Sequence, residues 1–296
     1  MFTNKEVLKF VNSSIEKKLD IVVTSVIKTL GSTYTKAGNL LVINSNGQFV
    51  GVLGSSYLHN KIFESSKEAL KTKQIQIFKS IPQDESSGHG ESEFLVQPFF
   101  YSEKYGALGI ALKNFGKTLV RDIKDASYKI LDEVQETKLE AGKFYQTIKA
   151  PYSVLIFGLA AHVIPMISMA NLMGWKTTVV DLRIKKSYKN KADKFIELET
   201  LEDILKIDLD SYDASVILSH NPKTDDTYLK ALLDSNISYI GMMGNKQNMK
   251  RITKLFNLED DDRFYAPVGL DIGSNTSQAI ALSICAQIEA KKNEKL

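Results

Sequence analysis

Apolar positions in this chain follow two periods, and the way they are interleaved changes near residue 150. Before that point, short alternating or β-branched runs are mixed with two stretches at helical spacing. After it, buried-strand runs and helical runs alternate regularly, as in a parallel sheet with crossover helices.

Taken in order, residues 3–18 predict a helix. Thr3 and Glu6 have capping-box spacing, and Val7, Leu8, Val11 and Ile15 share one face. A β-branched strand is expected over 21–29, then a polar loop over 31–38. Two short strands, 40–43 and 48–53, flank Asn46-Gly47, a strong hairpin signal. A helix over 58–70 and strands over 74–81 and 93–99 complete an α+β domain spanning 1–104, with a polar Ser/Gly loop at 82–90. Residues 105–150 read as a connecting region. Within it, 106–113 fits helix or strand, 118–123 a strand, and 144–149 a strand leading into Pro151.

The stretch 151–183, PYSVLIFGLAAHVIPMISMANLMGWKTTVVDLR, reads strand, tight loop, helix, strand. In such a unit the loop opens onto a helix N-terminus, where N–H groups and the helix dipole favour a phosphate. An acidic residue about 20 positions on can bond a ribose hydroxyl. Gly158 and Asp181 have that spacing. The glycine fingerprint is incomplete, because Ala160 and Val163 occupy its second and third small positions. A Rossmann-like unit that binds a dinucleotide and one that binds nothing both fit these residues. The expected fold class is therefore α/β: an N-terminal α+β domain, then a Rossmann-like parallel-sheet domain over 151–296.

Ligands of open α/β sheets sit outside the carboxyl ends of the strands. The loops expected there carry Gly158, Ala160, Asp181, Arg183, Ser219, His220, Gly241, Gly244 and Asp271, and these are the candidate cofactor-binding residues. His220, between a strand and Pro222, either holds its own loop or donates to a ligand. Asp225 and Asp226 suit helix N-terminal charge, with chemistry the lesser alternative. Asp271 is either a turn former or a ligand contact. Strands are expected at 195–198, 214–218 and 237–240, and helices at 201–205, 228–233, 246–256 and 276–291, the last carrying Ile280, Ile284 and Ile288 on one face.

Composition excludes several classes. The 38 basic and 35 acidic residues nearly cancel, and no basic stripe interleaved with aromatics suggests nucleic acid. No apolar run approaches the roughly 18 residues of a membrane span, and the first ten residues lack the core of a signal peptide. A cytoplasmic protein is expected. A single cysteine, Cys285, leaves no internal disulfide and no cysteine-rich metal site. No zinc spacing and no Ser-His-Asp or Cys-His set is present, so no catalytic or metal-ligating residues are assigned.

Several segments together resemble the xanthine dehydrogenase accessory family (XdhC/CoxI). They are VVTSVIKTLGSTYTKAGNLLVINSNGQFVGVLGSSYLHNKI, SGHGESEFLVQP, VLIFGLAAHVIP, VVDLR, SHNPKTDD, YIGMMGNK and APVGLDIGSNTSQAIALSI. The resemblance covers nearly the whole chain. It implies a chaperone rather than a metabolic enzyme, one that binds molybdenum cofactor (molybdopterin) and delivers it to a molybdo-hydroxylase such as xanthine dehydrogenase. It also implies a cysteine desulfurase as sulfur donor, and a homodimer. By the same resemblance, backbone N–H groups after Gly158 would meet the phosphate, and His220, Asp181 or Asp271 the polar edge of the pterin.

The chain departs from the family at its thiols. The SGGC cysteine falls on Tyr57 and the acidic position after it on His59. The GCGG cysteine falls on Gly88, within Ser87-Gly88-His89-Gly90. The family's G-x-G-H-V is Gly158-Leu-Ala-Ala-His-Val, with Ala161 at the histidine position and His162 one residue late. Two alternatives stand beside the cofactor chaperone: an NAD(P)-dependent oxidoreductase or nucleotide sensor, and a non-catalytic interaction protein on a degenerate scaffold.

Overall fold

A computed structural model of the chain describes residues 1–81, 90–184, 191–219 and 221–296. The chain divides into two compact units, Met1–Ala150 and Pro151–Leu296.

In the first unit, helix α1 (Lys5–Glu16) starts one position later than the Thr3 spacing suggests. Asn4 is the N-cap, and its side chain accepts from the Glu6 N–H at 2.8 Å. With Asn4 in that place, Glu6 lies too early in the helix to complete a capping box. Strands β1 (Ile21–Leu30), β2 (Leu40–Asn44) and β3 (Phe49–Val50) follow, the last two joined by the Asn46-Gly47 turn. Gly47 there has a φ of +77°, which glycine adopts without strain. Helix α2 (Ser56–Thr72), capped by Ser55, is succeeded by β4 (Gln76–Ser80) and β5 (Glu91–Phe99). The five strands form an antiparallel sheet in the order β3-β2-β1-β5-β4. Leu58 and Ile62 of α2 bury against Val26, Leu41 and Phe94 of this sheet.

Residues 105–150, expected to connect two domains, belong to this first unit. Helix α3 (Gly106–Ala111) is followed by β6 (Thr118–Asp122), β7 (Tyr128–Leu131), β8 (Lys138–Glu140) and β9 (Lys143–Thr147). These strands make a second antiparallel sheet, β7-β6-β9-β8. Arg121 of β6 is fully buried. Its guanidinium donates to the side-chain oxygens of Gln146 (2.9 Å), Gln97 (3.2 Å) and Ser25 (3.3 Å) and lies 5.2 Å from the Phe144 ring. Burial without a carboxylate lowers its pKa to about 10.

The second unit is built on β10 (Ser153–Phe157), α4 (Val163–Leu172), β11 (Lys176–Asp181), β12 (Lys194–Glu197), β13 (Ala214–Ile217), α5 (Pro222–Leu233), β14 (Tyr239–Met242), α6 (Lys246–Phe256), β15 (Phe264–Tyr265) and α7 (Ser277–Lys292). All six strands are parallel, in the order β12-β11-β10-β13-β14-β15. This is the doubly wound order, and the direction of winding reverses between β10 and β13. One apolar layer holds α4 and α7, centred on Met166, Trp175 and Ile284. The other holds α5 and α6, centred on Tyr228, Leu232 and Ile252. Helix α5 begins at Pro222, six residues before the apolar run that marks it in the sequence, because proline is favoured in the first helical turn and Asn221 caps it. Among the described residues, no helix is long and apolar enough to cross a membrane.

Candidate functional site

At the reversal point the ends of β10 and β13 touch. Gly158 has a φ of +104°, and a Cβ placed on it would lie 2.7 Å from Ser219 Cα and 2.8 Å from Ser219 N. Glycine is therefore required here by the neighbouring backbone as well as by its own conformation. Ala160 sits in the loop that follows. In the first turn of α4, Val163 gives its N–H to the Ala160 carbonyl and Pro165 has none to give. Of the three residues that open the helix, only Ile164 keeps an N–H unengaged among the described residues.

Asp181 ends β11 and is half-buried. Its Oδ1 accepts from the Arg183 N–H at 3.2 Å. Burial, the largest influence, pushes its carboxyl above the usual carboxylate range against the pull of the Arg183 and Leu182 N–H groups. Arg183 is exposed. Beyond β13, Ser219 Oγ donates to Oδ1 of Asp225, which is buried in the first turn of α5. Thr224 Oγ1 donates to the Asn221 carbonyl at 2.9 Å and closes that turn.

The next strand end differs in character. The loop after β14 leads into α6, whose N-cap Asn245 accepts from the Asn248 N–H at 2.9 Å. The backbone N–H groups of Gly244, Asn245, Lys246 and Gln247 are unengaged among the described residues. Gly244, Asn245 and Gln247 border a cavity of about 560 Å³ lined also by Asp225, Met243 and Arg251. Arg251 is held in place, donating to both oxygens of Asp226 at 3.0 and 2.8 Å and to Asn248 at 3.0 Å.

The candidate residues thus separate. Gly158, Ala160, Asp181, Ser219 and Gly244 stand at the carboxyl ends of β10, β11, β13 and β14. Gly241 does not end its strand as the sequence suggests. It lies inside β14, where a Cβ would meet Val268 Cγ2 at 2.4 Å and the Tyr239 ring at 2.9 Å, so packing explains it. Asp271 lies in an exposed turn and accepts from the Gly273 N–H at 3.5 Å. That loop is anchored through Gly269, whose N–H bonds Gln287 Oε1 at 2.8 Å. His220, His89, Gly88 and most of the lysine-rich loop after Ile184 lie outside the described residues. Among the described residues, no group of three His, Cys, Asp or Glu side chains is placed to hold a metal ion.

Two family models match the chain. Residues 154–288 match the XdhC Rossmann domain, and residues 14–79 match the XdhC and CoxI family. The chain belongs to the XdhC family. It is 24% identical over 314 residues to a probable xanthine dehydrogenase subunit from Bacillus subtilis (strain 168), covering 93% of this chain and 94% of that protein. It is 21% identical to an uncharacterized protein, YqeB, of Escherichia coli (strain K12), covering 94% of this chain and 44% of the longer relative. The fold matches a crystal structure described as a xanthine dehydrogenase from Bacillus halodurans, with a TM-score of 0.81 and 20% identity over 98% of this chain and 96% of that one.

Within this XdhC-family scaffold, Tyr57 stands at the start of α2 with its side chain exposed, where the family resemblance places a cysteine. His59, two residues on, accepts from the Leu53 N–H through Nε2 at 3.3 Å. Cys285 lies inside α7, buried, with its sulfur 3.8 Å from that of Met166. Burial raises its thiol pKa to about 12. It cannot supply thiolate chemistry at neutral pH.

One feature of the site is not legible as a site feature in the sequence. The open N–H groups at 244–247 become visible only when their lack of strand or helix partners is seen, although the Gly-Asn pair before a helical run marks the loop itself.

Proposed function

We propose that this chain is an accessory protein to a xanthine dehydrogenase-type molybdo-hydroxylase, and that its C-terminal unit holds the organic part of molybdenum cofactor. The observation that carries this reading is the division of chemistry along the carboxyl ends of the strands. Carboxylates stand at the β11 and β13 ends, and four open N–H donors at the β14 end. Across three inter-strand spacings this is about 14 Å, the span of a tricyclic ring with a phosphate arm.

The residues present fit such a group. Helix α6 has no acidic residue in its first turn, and Lys246 adds a cation, so its start suits a phosphate. The carboxylate side suits a ring edge rich in N–H donors. The dithiolene that carries molybdenum is supplied by the cofactor itself. This chain's residues bind and orient the organic part. Transfer of sulfur from a desulfurase would fall to another protein, because the one thiol here is buried and protonated.

Mass spectrometry of small molecules released from the protein, purified from cells that make the cofactor, tests the proposal. Molybdopterin or its oxidised derivatives should be recovered, and a molybdo-hydroxylase should co-purify. Folded protein that yields neither would refute it.

A dinucleotide is the second reading, favoured by Asp181 at the end of the strand next to β10 in the doubly wound order. Thermal unfolding with NAD and NADP tests it. A ligand at a hundredfold excess over its dissociation constant adds about 2.7 kcal/mol, which is readily seen.

A further inference from the structure

Two glutamines hold the buried Arg121 guanidinium, and only one of them has both ends of its amide engaged. Gln146 accepts from Arg121 through Oε1 and gives its Nε2 to the Gly38 carbonyl at 2.8 Å. Gln97 accepts from Arg121 through Oε1 at 3.2 Å, and its Nε2 has no partner among the described residues. Gln97 is 4% exposed. An amide nitrogen left in this way is uncommon, because nothing offsets its desolvation.

The orientation of that amide is decided by its neighbour. A guanidinium only donates, so Arg121 holds the oxygen of Gln97 and turns the NH2 group away from itself. Leu95 and Gln97 share the face of β5 that meets the second sheet, where Leu95 clusters with Phe144 of β9. The Gln97 Nε2 is not enclosed there, as the unpaired Arg121 Nε is. It opens onto a cavity of about 490 Å³ within the first unit, where the end of β5 meets the start of α3 and the loop before β7. Phe99, Phe100, Tyr105 and Tyr128 give this cavity aromatic walls. Charges at its rim cancel, Lys73 and Lys124 against Glu103 and Asp125, all four exposed. The charge without a counter-ion is Arg121, one amide behind the open NH2 group; its partners are neutral side chains.

We propose that this cavity binds a small planar carboxylate, one of whose oxygens accepts from Gln97 Nε2. Arg121 polarises the amide through Oε1, which strengthens its N–H groups as donors. An anionic ligand also receives the field of a buried cation that has no counter-ion of its own. The aromatic walls suit a flat apolar body, with the carboxylate directed to the floor between the two sheets. A cation of the same shape offers no acceptor to Gln97 and meets the field of Arg121, so the cavity discriminates against it. The site lies wholly in the first unit and is independent of the cofactor reading of the second.

Benzoate and benzamidinium are the probes, because they share a shape and have opposite hydrogen-bonding character. Binding of each to the full-length protein is measured by saturation-transfer NMR on the probe. Benzoate should bind with a dissociation constant in the millimolar range or tighter, and at least tenfold tighter than benzamidinium. Gln97→Glu puts an acceptor where the NH2 group stood and gives Arg121 an ion-pair partner. It should weaken benzoate at least tenfold while its thermal midpoint stays at or above that of the parent. Tyr128→Ala removes one wall at a half-exposed position, and decides the location should Gln97→Glu fail to fold; it should weaken benzoate at least threefold. No binding of benzoate at millimolar concentration, equal affinity for the two probes, or folded variants that bind benzoate as the parent does would overturn the site.

Discussion

A Cβ on Gly158 would lie 2.7 Å from the Cα of Ser219. The two residues end adjacent parallel strands at the point where the winding of the sheet reverses, and their contact closes the floor of the candidate site. Because the atom opposite is main chain, it cannot rotate away. Gly158→Ala should destabilise the protein by about 2–4 kcal/mol, combining a strained positive φ with overpacking. Gly47→Ala is the control, since Gly47 also has a positive φ but nothing within 4 Å. It should cost about 1 kcal/mol. Urea denaturation midpoints compare the two, and equal losses would show that the Ser219 contact contributes nothing.

Ser219 donates to a carboxylate that is almost completely buried. Removing one donor from a buried acceptor costs about 1–3 kcal/mol, because fewer bonds then offset its desolvation. Ser219→Ala should lose stability in that range under denaturant.

Asp181 gives a pH signature. Its folded-state pKa is raised, so the folded form holds the proton more tightly than the unfolded chain does. Its contribution is fully present below the unfolded carboxyl pKa of about 3.9 and is lost as pH rises through the folded value. Asp181→Asn removes the titration. The variant should be the more stable protein at pH 7, with its lead shrinking toward pH 4. Paired unfolding curves at several pH values measure this, and a lead that grows on acidification would contradict it.

Thiol reactivity tests where the cysteine is placed. Cys285, buried with its thiol pKa raised to about 12, should not react with an aromatic disulfide reagent until the protein unfolds. Tyr57→Cys, at an exposed position opening α2, should add one thiol that reacts at once in the native state. Fast reaction of the parent protein would show that α7 opens readily.

Sequence by itself determined most of the elements. The Asn46-Gly47 hairpin, the helix over 246–256 and the strand–loop–helix–strand unit after Pro151 are local patterns. Turn chemistry and apolar spacing express them within a dozen residues. The segments at 14–79 and 154–288 carried the family for the same reason. Where local signals compete, the sequence misled. Thr3 and Asn4 are both good caps, and only the helix start at Lys5 chose between them. Helix α5 opens with two polar turns that show no apolar face.

What tertiary structure alone decided depends on non-local pairing. Strands β7 and β8 are too short and too exposed for a period to be read from them, and the sheet over 105–150 exists only through their pairing with β6 and β9. Gly241 looks like a loop glycine until Val268 is found against it. Tyr228 opens the apolar run of α5, and only the fold stacks its ring on Phe157 at the end of β10. Parallel strands bring together residues tens of positions apart, and no local pattern records which side chains will meet there.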